Sequence, residues 1–175
     1  DILLLMERMN QLPAQKYNST GGVKRLAIQT YKGGAGKSTT TTHLGHYLAK
    51  KGYRVVLVDM DPQASTTTYN GLVPDFDIQS NETLHDLFTE DAFNVDGTCQ
   101  FDTASKIRQL PNWPNIGLLP SNLSMQEAEW QARELVQLHV DSNRPFLLNY
   151  LDEALKQVED DYDVILIDSP PSLGI

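Results

Sequence analysis

Lys32, Gly33, Gly34, Ala35, Gly36, Lys37, Ser38 and Thr39 form one uninterrupted run. Three glycines without Cβ atoms let successive backbone N–H groups close around an anion. Lys37 can then neutralise the β- and γ-phosphates of a nucleotide, and the Ser38 hydroxyl can ligate Mg²⁺. Two acid-bearing segments accompany this run. Asp59-Met60-Asp61-Pro62-Gln63-Ala64-Ser65 places two carboxylates two residues apart, and Ile165-Leu166-Ile167-Asp168-Ser169-Pro170-Pro171 ends an apolar stretch in a carboxylate. A carboxylate after four apolar residues suits a metal held through water, which assigns Asp168 to the cation.

These groups need a scaffold that brings them together. Residues 25–31 read as a strand running straight into the glycine-rich loop, and a helix is expected from about Ser38 to Lys51. Its N-terminus adds N–H donors and a partial positive charge. Leu44, Tyr47 and Leu48 mark its apolar face, and Gly52 stands where a C-cap glycine belongs. The threonines at 39–42 are mediocre helix formers, which suggests a first turn chosen for hydroxyls. Residues 54–59 and 163–168 are near-continuous apolar runs, as strands covered on both faces require. Residues 116–120 give a brief strand, and residues 81–89 a short helix capped by Asn81. Ser124 and Glu127 make a capping-box pattern opening a helix to about His139, and a further helix spans residues 144–158 with Pro145 in its first turn. Residues 90–105 read as irregular. Alternating strands and helices predict an α/β fold, a mainly parallel sheet flanked by helices.

Composition narrows the function classes. A chain of 175 residues fits one domain, and 14 Lys and Arg against 23 Asp and Glu give a formal charge of −9. Such a surface repels nucleic acid on average, so DNA contact needs a local basic patch. The sequence has no basic cluster larger than Lys24-Arg25 or Lys50-Lys51. One cysteine, Cys99, excludes an internal disulfide and fits a reducing cytoplasm. No apolar run approaches the roughly 20 residues of a membrane span. His43 and His46 sit three apart without an evident third ligand, Asp75-Phe76-Asp77 reads as a solvated turn, and Trp113 and Trp130 read as packing residues. The chain begins at Asp1 and stops shortly after a strand-like run. It is therefore expected to be part of a longer protein, with residues 1–23 a linker from an upstream segment and 24–175 the N-terminal portion of a nucleotide-binding domain. A sheet ending after Asp168 is expected to leave an apolar edge.

The run from Lys32 to Ser38 departs from the ordinary Walker A pattern, which wants glycine where Tyr31 stands, and opens on a second lysine. It resembles the deviant Walker A motif of the ParA/MinD family of P-loop ATPases. The Asp-x-Asp-Pro-Gln segment is similar to that family's switch I, and residues 168–171 to its Walker B and switch II. The runs "DFDIQSNETLHDLF", "LLPSNL" and "DDYDVILIDSPPSLG" look most like RepA-type partition ATPases of repABC plasmids. The resemblance implies ATP and Mg²⁺ as cofactors, and a homodimer sandwiching ATP. Lys32 would reach the partner's nucleotide, and Asp61 would position the attacking water. Asp59 would support metal-bound water or the switch geometry. It further implies ATP hydrolysis in DNA partition, a ParB-like centromere-binding partner, and non-specific DNA binding through regions mostly outside this chain. The protein would be cytoplasmic, nucleoid-associated when ATP-bound, and would have no membrane partner. A MinD-like positioning ATPase and a non-hydrolysing, nucleotide-gated DNA-binding repressor are the alternatives. A nitrogenase-iron-protein-like reductase would need more cysteines than Cys99.

Overall fold

Val55, Val56, Leu57 and Val58 are each fully buried, because the strand that carries them is covered on both faces. The computed structural model describes residues 22–30, 32–94, 98–139 and 148–171. Among these residues the sheet has five strands: β1 (Lys24–Ile28), β2 (Val55–Asp59), β3 (Arg108–Leu110), β4 (Trp113–Leu119) and β5 (Val164–Asp168), in the order β1-β5-β2-β4-β3. β1, β5, β2 and β4 run parallel, and only β3 is antiparallel to its neighbour. The expected α/β fold is therefore present, and the strands read from residues 54–59 and 163–168 lie at its centre. β5 sits between β1 and β2, so it is not an edge. The outer strand on that side, among the described residues, is β1, whose Leu26 is half exposed.

Side chains alternate along each strand, so the central strands feed two separate cores. Val55, Leu57, Leu118 and Leu166 pack with Ala49, Leu44 and Leu48 of α1 (Lys37–Lys50). Val56, Val58 and Ile165 pack on the opposite face with Met125 and Ala128 of α5 (Met125–His139) and Ala154 and Leu155 of α6 (Leu148–Lys156). Each fully buried Val, Leu or Ile of this kind contributes about 1.5–3 kcal/mol. Between the main elements lie three one-turn or short helices, α2 (Ser65–Tyr69), α3 (Pro74–Asp77) and α4 (Thr103–Lys106). In place of the helix expected over 81–89 there are two 3₁₀ turns, Ser80–Glu82 and His85–Phe88. The first is capped by Gln79 rather than Asn81, with the Glu82 carboxylate returning to the Gln79 N–H at 2.8 Å. The helix starting near 124 forms, with Asn122 Oδ1 accepting from both the Ser124 N–H and hydroxyl. Pro145 and the first residues of the helix expected from 144 lie outside the described residues.

Leu44 and Leu48 pack against the core as expected, but the most buried face of α1 differs from the expected one. It consists of Lys37, Thr41, Thr42, Gly45 and Ala49, whereas Tyr47 is exposed. Small side chains win this face because the helix lies close against β2. A Cβ placed on Gly45 would stand 2.5 Å from a methyl of Leu57. Trp130 likewise points away from the core, at 74% exposure, so it is not a packing residue. Trp113 stacks on the His46 ring at 4.7 Å, and His46 also meets Asn70 Oδ1 at 3.0 Å, which accounts for this histidine without a metal.

Gly45 supplies a direct test of the α1 packing. Gly45→Val should destabilise the domain by about 1–3 kcal/mol through overpacking against Leu57, read as a lower urea midpoint with an unchanged slope. An unaltered midpoint would show that α1 does not sit this close to the sheet.

Candidate nucleotide site

Parallel strands end on the same edge of a sheet, and the register here makes that edge acidic. Ile28 pairs with Asp168, and Asp168 pairs with Asp59, so the ends of β1, β5 and β2 lie side by side. Ligands of open α/β sheets bind beyond such carboxyl ends. The glycine-rich loop leaves β1 here and enters α1 at Gly36, whose φ of 83° is left-handed, as is that of Gly34 at 71°. No heavy atom lies within 4 Å of a Cβ built on either residue. Backbone conformation therefore demands glycine at both, and the space beside them is open.

Gly36 caps α1 with no side-chain hydrogen bond, and the first turn holds no acidic residue. The positive end of the helix is thus left to an anion. Lys32, Gly33, Gly34, Ala35 and Thr39 are exposed, Ser38 is half-buried, and Lys37 is only 7% exposed. The threonine run divides in two: Thr39 and Thr40 face solvent, while Thr41 and Thr42 are buried against the sheet. The Thr41 hydroxyl donates to the Lys37 carbonyl at 3.0 Å.

The two strand-end acids are fully buried and differently satisfied. Asp59 Oδ2 accepts from the Thr67 N–H and hydroxyl, both at 2.8 Å, and Oδ1 accepts from the Asp61 N–H at 3.2 Å. Its carboxylate is committed to the loop and helix that follow β2. Asp168 Oδ2 accepts from the Thr66 hydroxyl at 2.7 Å, whereas its buried Oδ1 has no hydrogen-bond partner. Burial pushes the Asp168 pKa up; the Ser38 and Thr66 hydroxyls oppose the rise, Asp61 adds to it, and Lys37 opposes it. Asp61 lies on the same edge, its Oδ1 accepting from the Gln63 N–H at 2.9 Å. Its carbonyl accepts from the Ser121 hydroxyl at 2.8 Å. The turn between is tight, with Ala64 at a φ of 49°. Ser169 closes the edge, its hydroxyl donating to the Ile28 carbonyl at 2.9 Å.

Sequence reading placed the glycine loop, Lys37, Ser38, Asp59, Asp61 and Asp168, and the structure gathers them at this edge. It missed Thr66, Thr67 and Ser121, whose one available signal was a run of hydroxyl residues directly after Asp-Pro-Gln. Among the described residues, no group of three His, Cys, Asp or Glu side chains can hold a metal ion. The site instead suits a cation that takes one hydroxyl, one carboxylate through water and the oxygens of a polyphosphate, which is the ligand habit of Mg²⁺. An uncapped helix, a buried lysine and a partnerless carboxylate oxygen fit that pair of groups.

Burial pushes the Asp59 carboxyl up to about 7; the Thr67 N–H and hydroxyl oppose the rise, Asp168 adds to it, and the Asp61 N–H opposes it. The folded state therefore holds a proton that the unfolded chain, near 3.8, has released. Asp59 accordingly contributes stability that is full below about pH 4 and is lost as pH rises through 7, at up to about 1.4 kcal/mol per pH unit. In chelator and without nucleotide, Asp59→Asn should flatten the dependence of the urea midpoint on pH between about 4 and 7. An unchanged slope in that variant would remove Asp59 as its source.

The family described as AAA domain, AAA_31, matches residues 23–175. A provisionally named replication protein A of Sinorhizobium fredii is 33% identical over 96% of this chain and 39% of its own length. The crystal structure of cobyrinic acid a,c-diamide synthase from Mycobacterium smegmatis, with bound ATP analogue and magnesium, superposes at a TM-score of 0.67. It is 29% identical, covering 87% of this chain and 53% of that one. A plasmid partition protein from Borrelia burgdorferi superposes at 0.61 with 27% identity, over 87% of this chain and 58% of its own. The chain thus spans between about two-fifths and three-fifths of these proteins' lengths. With its lysine-opened glycine loop and strand-end acids on a parallel sheet, the chain belongs to the AAA_31 family, among the ParA/MinD-type P-loop ATPases.

Proposed function

We propose that this chain is the nucleotide-binding core of a DNA-partition ATPase that binds ATP with Mg²⁺, dimerises around it and hydrolyses it. One observation carries the reading: a glycine loop and the uncapped start of α1, which begins at the buried Lys37, lie at the edge where Asp168 keeps one carboxylate oxygen unpartnered. N–H groups of residues 33–39 would receive the phosphate oxygens, and Lys37 would lie along the β- and γ-phosphates. Ser38 would ligate Mg²⁺ directly and Asp168 through a water. The bound cation supplies charge neutralisation across the phosphates. Asp59, whose oxygens are already taken by Thr67 and Asp61, would hold the loop rather than the metal.

Asp61 is the proposed water-positioning residue, held from behind by the Ser121 hydroxyl on its carbonyl. Lys32 is exposed at the mouth of the loop and is proposed to reach the nucleotide of a second copy. Catalysis would then be charge stabilisation and water positioning, with no covalent enzyme intermediate. The ATP-bound dimer would bind DNA non-specifically, and a ParB-like centromere-binding protein would stimulate hydrolysis that releases it. Both activities belong to the full-length protein, placed by this reading in the cytoplasm and on the nucleoid. Among the described residues no helix is long and apolar enough to cross a membrane.

Two substitutions in the full-length protein test the reading. Lys37→Ala removes a charge-assisted phosphate contact and should weaken ATP binding by about 100-fold or more in calorimetry; unaltered affinity refutes its phosphate role. Asp61→Ala should retain ATP binding and lower turnover by roughly 100-fold or more, measured as phosphate release. Turnover at the unmodified rate would place water positioning elsewhere.

A further inference from the structure

Consecutive residues on α2 grip the two buried acids. Thr67 holds Asp59 through its N–H and hydroxyl, and Thr66 holds Asp168 through its hydroxyl. Thr66 is itself fully buried and is 102 residues from Asp168 in the chain. The torsion that turns an aspartate carboxylate is a soft sp³–sp² rotation with no sharp preference of its own. Something must select its setting, and here a 2.7 Å hydrogen bond from Thr66 holds Oδ2, while the Ser38 hydroxyl also acts on the carboxylate from the loop side. The Thr66 donor is stiff, because threonine is branched at Cβ. It is also held from below, since the Asn70 side-chain amide donates to the Thr66 carbonyl at 2.8 Å. The Asp168 backbone is fixed separately, its carbonyl accepting from the Met60 N–H at 2.9 Å. With Oδ2 taken, Oδ1 is the oxygen left unpartnered.

We infer that Thr66 is a positioning residue for the cation site: its hydroxyl sets the Asp168 carboxylate so that Oδ1 is presented to metal-bound water, tying the geometry of the segment after β2 to occupancy of that site. This rests on the nucleotide–Mg²⁺ reading above. Groups that orient a metal's ligands from behind are worth about 10–100-fold in metal affinity when removed. The α2 segment follows directly from the Asp61 turn, so the same threonine links the end of β5 to the loop carrying the proposed water-positioning residue.

The test uses the full-length protein and compares Thr66→Val, which keeps the shape and deletes the donor, with Thr66→Ser, which keeps the donor. Nucleotide affinity is measured with a fluorescent ATP analogue across a Mg²⁺ titration and again in chelator, and bound Mn²⁺ is followed by electron paramagnetic resonance. Thr66→Val should raise the Mg²⁺ concentration for half-maximal tight binding about 10-fold or more and broaden the Mn²⁺ spectrum. Affinity in chelator should be unchanged, and Thr66→Ser should restore the unmodified Mg²⁺ midpoint. An unmoved midpoint in Thr66→Val overturns the inference. Equal losses with and without metal also overturn it, because they assign Thr66 to folding alone. If the unmodified protein binds nucleotide with no dependence on Mg²⁺, the functional reading itself falls, and this inference with it.

Discussion

Two carboxylates buried side by side at the ends of adjacent parallel strands are the constraint around which this structure is arranged. The register of β5 with β2 sets Asp168 directly beside Asp59, and both are withdrawn from water. Burying charge is costly unless hydrogen bonds compensate. The chain compensates unequally: Asp59 has donors on both oxygens from the segment that follows it, whereas Asp168 Oδ2 is held by Thr66 and Oδ1 has no hydrogen-bond partner. That inequality separates their roles. In the proposed reading the satisfied acid fixes a loop, and the other keeps an oxygen for metal-bound water.

The rest of the fold keeps that edge rigid. Two cores of alternating strand side chains clamp the central strands between α1 and the α5–α6 layer, so the strand ends have little freedom to splay. At the opposite end of the sheet, Arg54 makes a bidentate contact with Asp163 and so fixes the start of β2 against β5. Arg25 joins β1 to α6 through Asp152 and to the turn that follows it through Glu159. Partly exposed pairs of this kind add little energy, and their value here is to hold register.

The parts legible in the sequence were those with strong local physics. Residues 54–59 and 163–168 could only be strands buried on both faces, and the glycine loop between a strand and a helix had one chemical use. On α1, Leu44 and Leu48 do pack as hydropathy suggests, but Tyr47 is exposed, and the most buried positions are Gly45 and its small neighbours because the helix lies close to Leu57. Trp130 was misread for the related reason that apolar character does not say which way a helix faces. β3 is three residues long and antiparallel, too short to leave a periodic pattern. The 3₁₀ turns after residue 79 lack one as well. Thr66 could not be read as a partner of Asp168, because that pairing is set by tertiary register across 102 residues, and Thr67 showed only as part of a hydroxyl run after Asp-Pro-Gln.

The central claim is that main-chain amides at the β1–α1 bend, with Lys37, receive the phosphates while Asp168 Oδ1 faces the cation. A crystal structure of the full-length protein with a non-hydrolysable ATP analogue and Mg²⁺ tests it most directly. The triphosphate is expected within the bend, the Ser38 hydroxyl on the metal, and one water between the metal and Asp168 Oδ1. Nucleotide bound elsewhere with the bend vacant, or a metal ligated by Asp59 with Asp168 turned away, would contradict it.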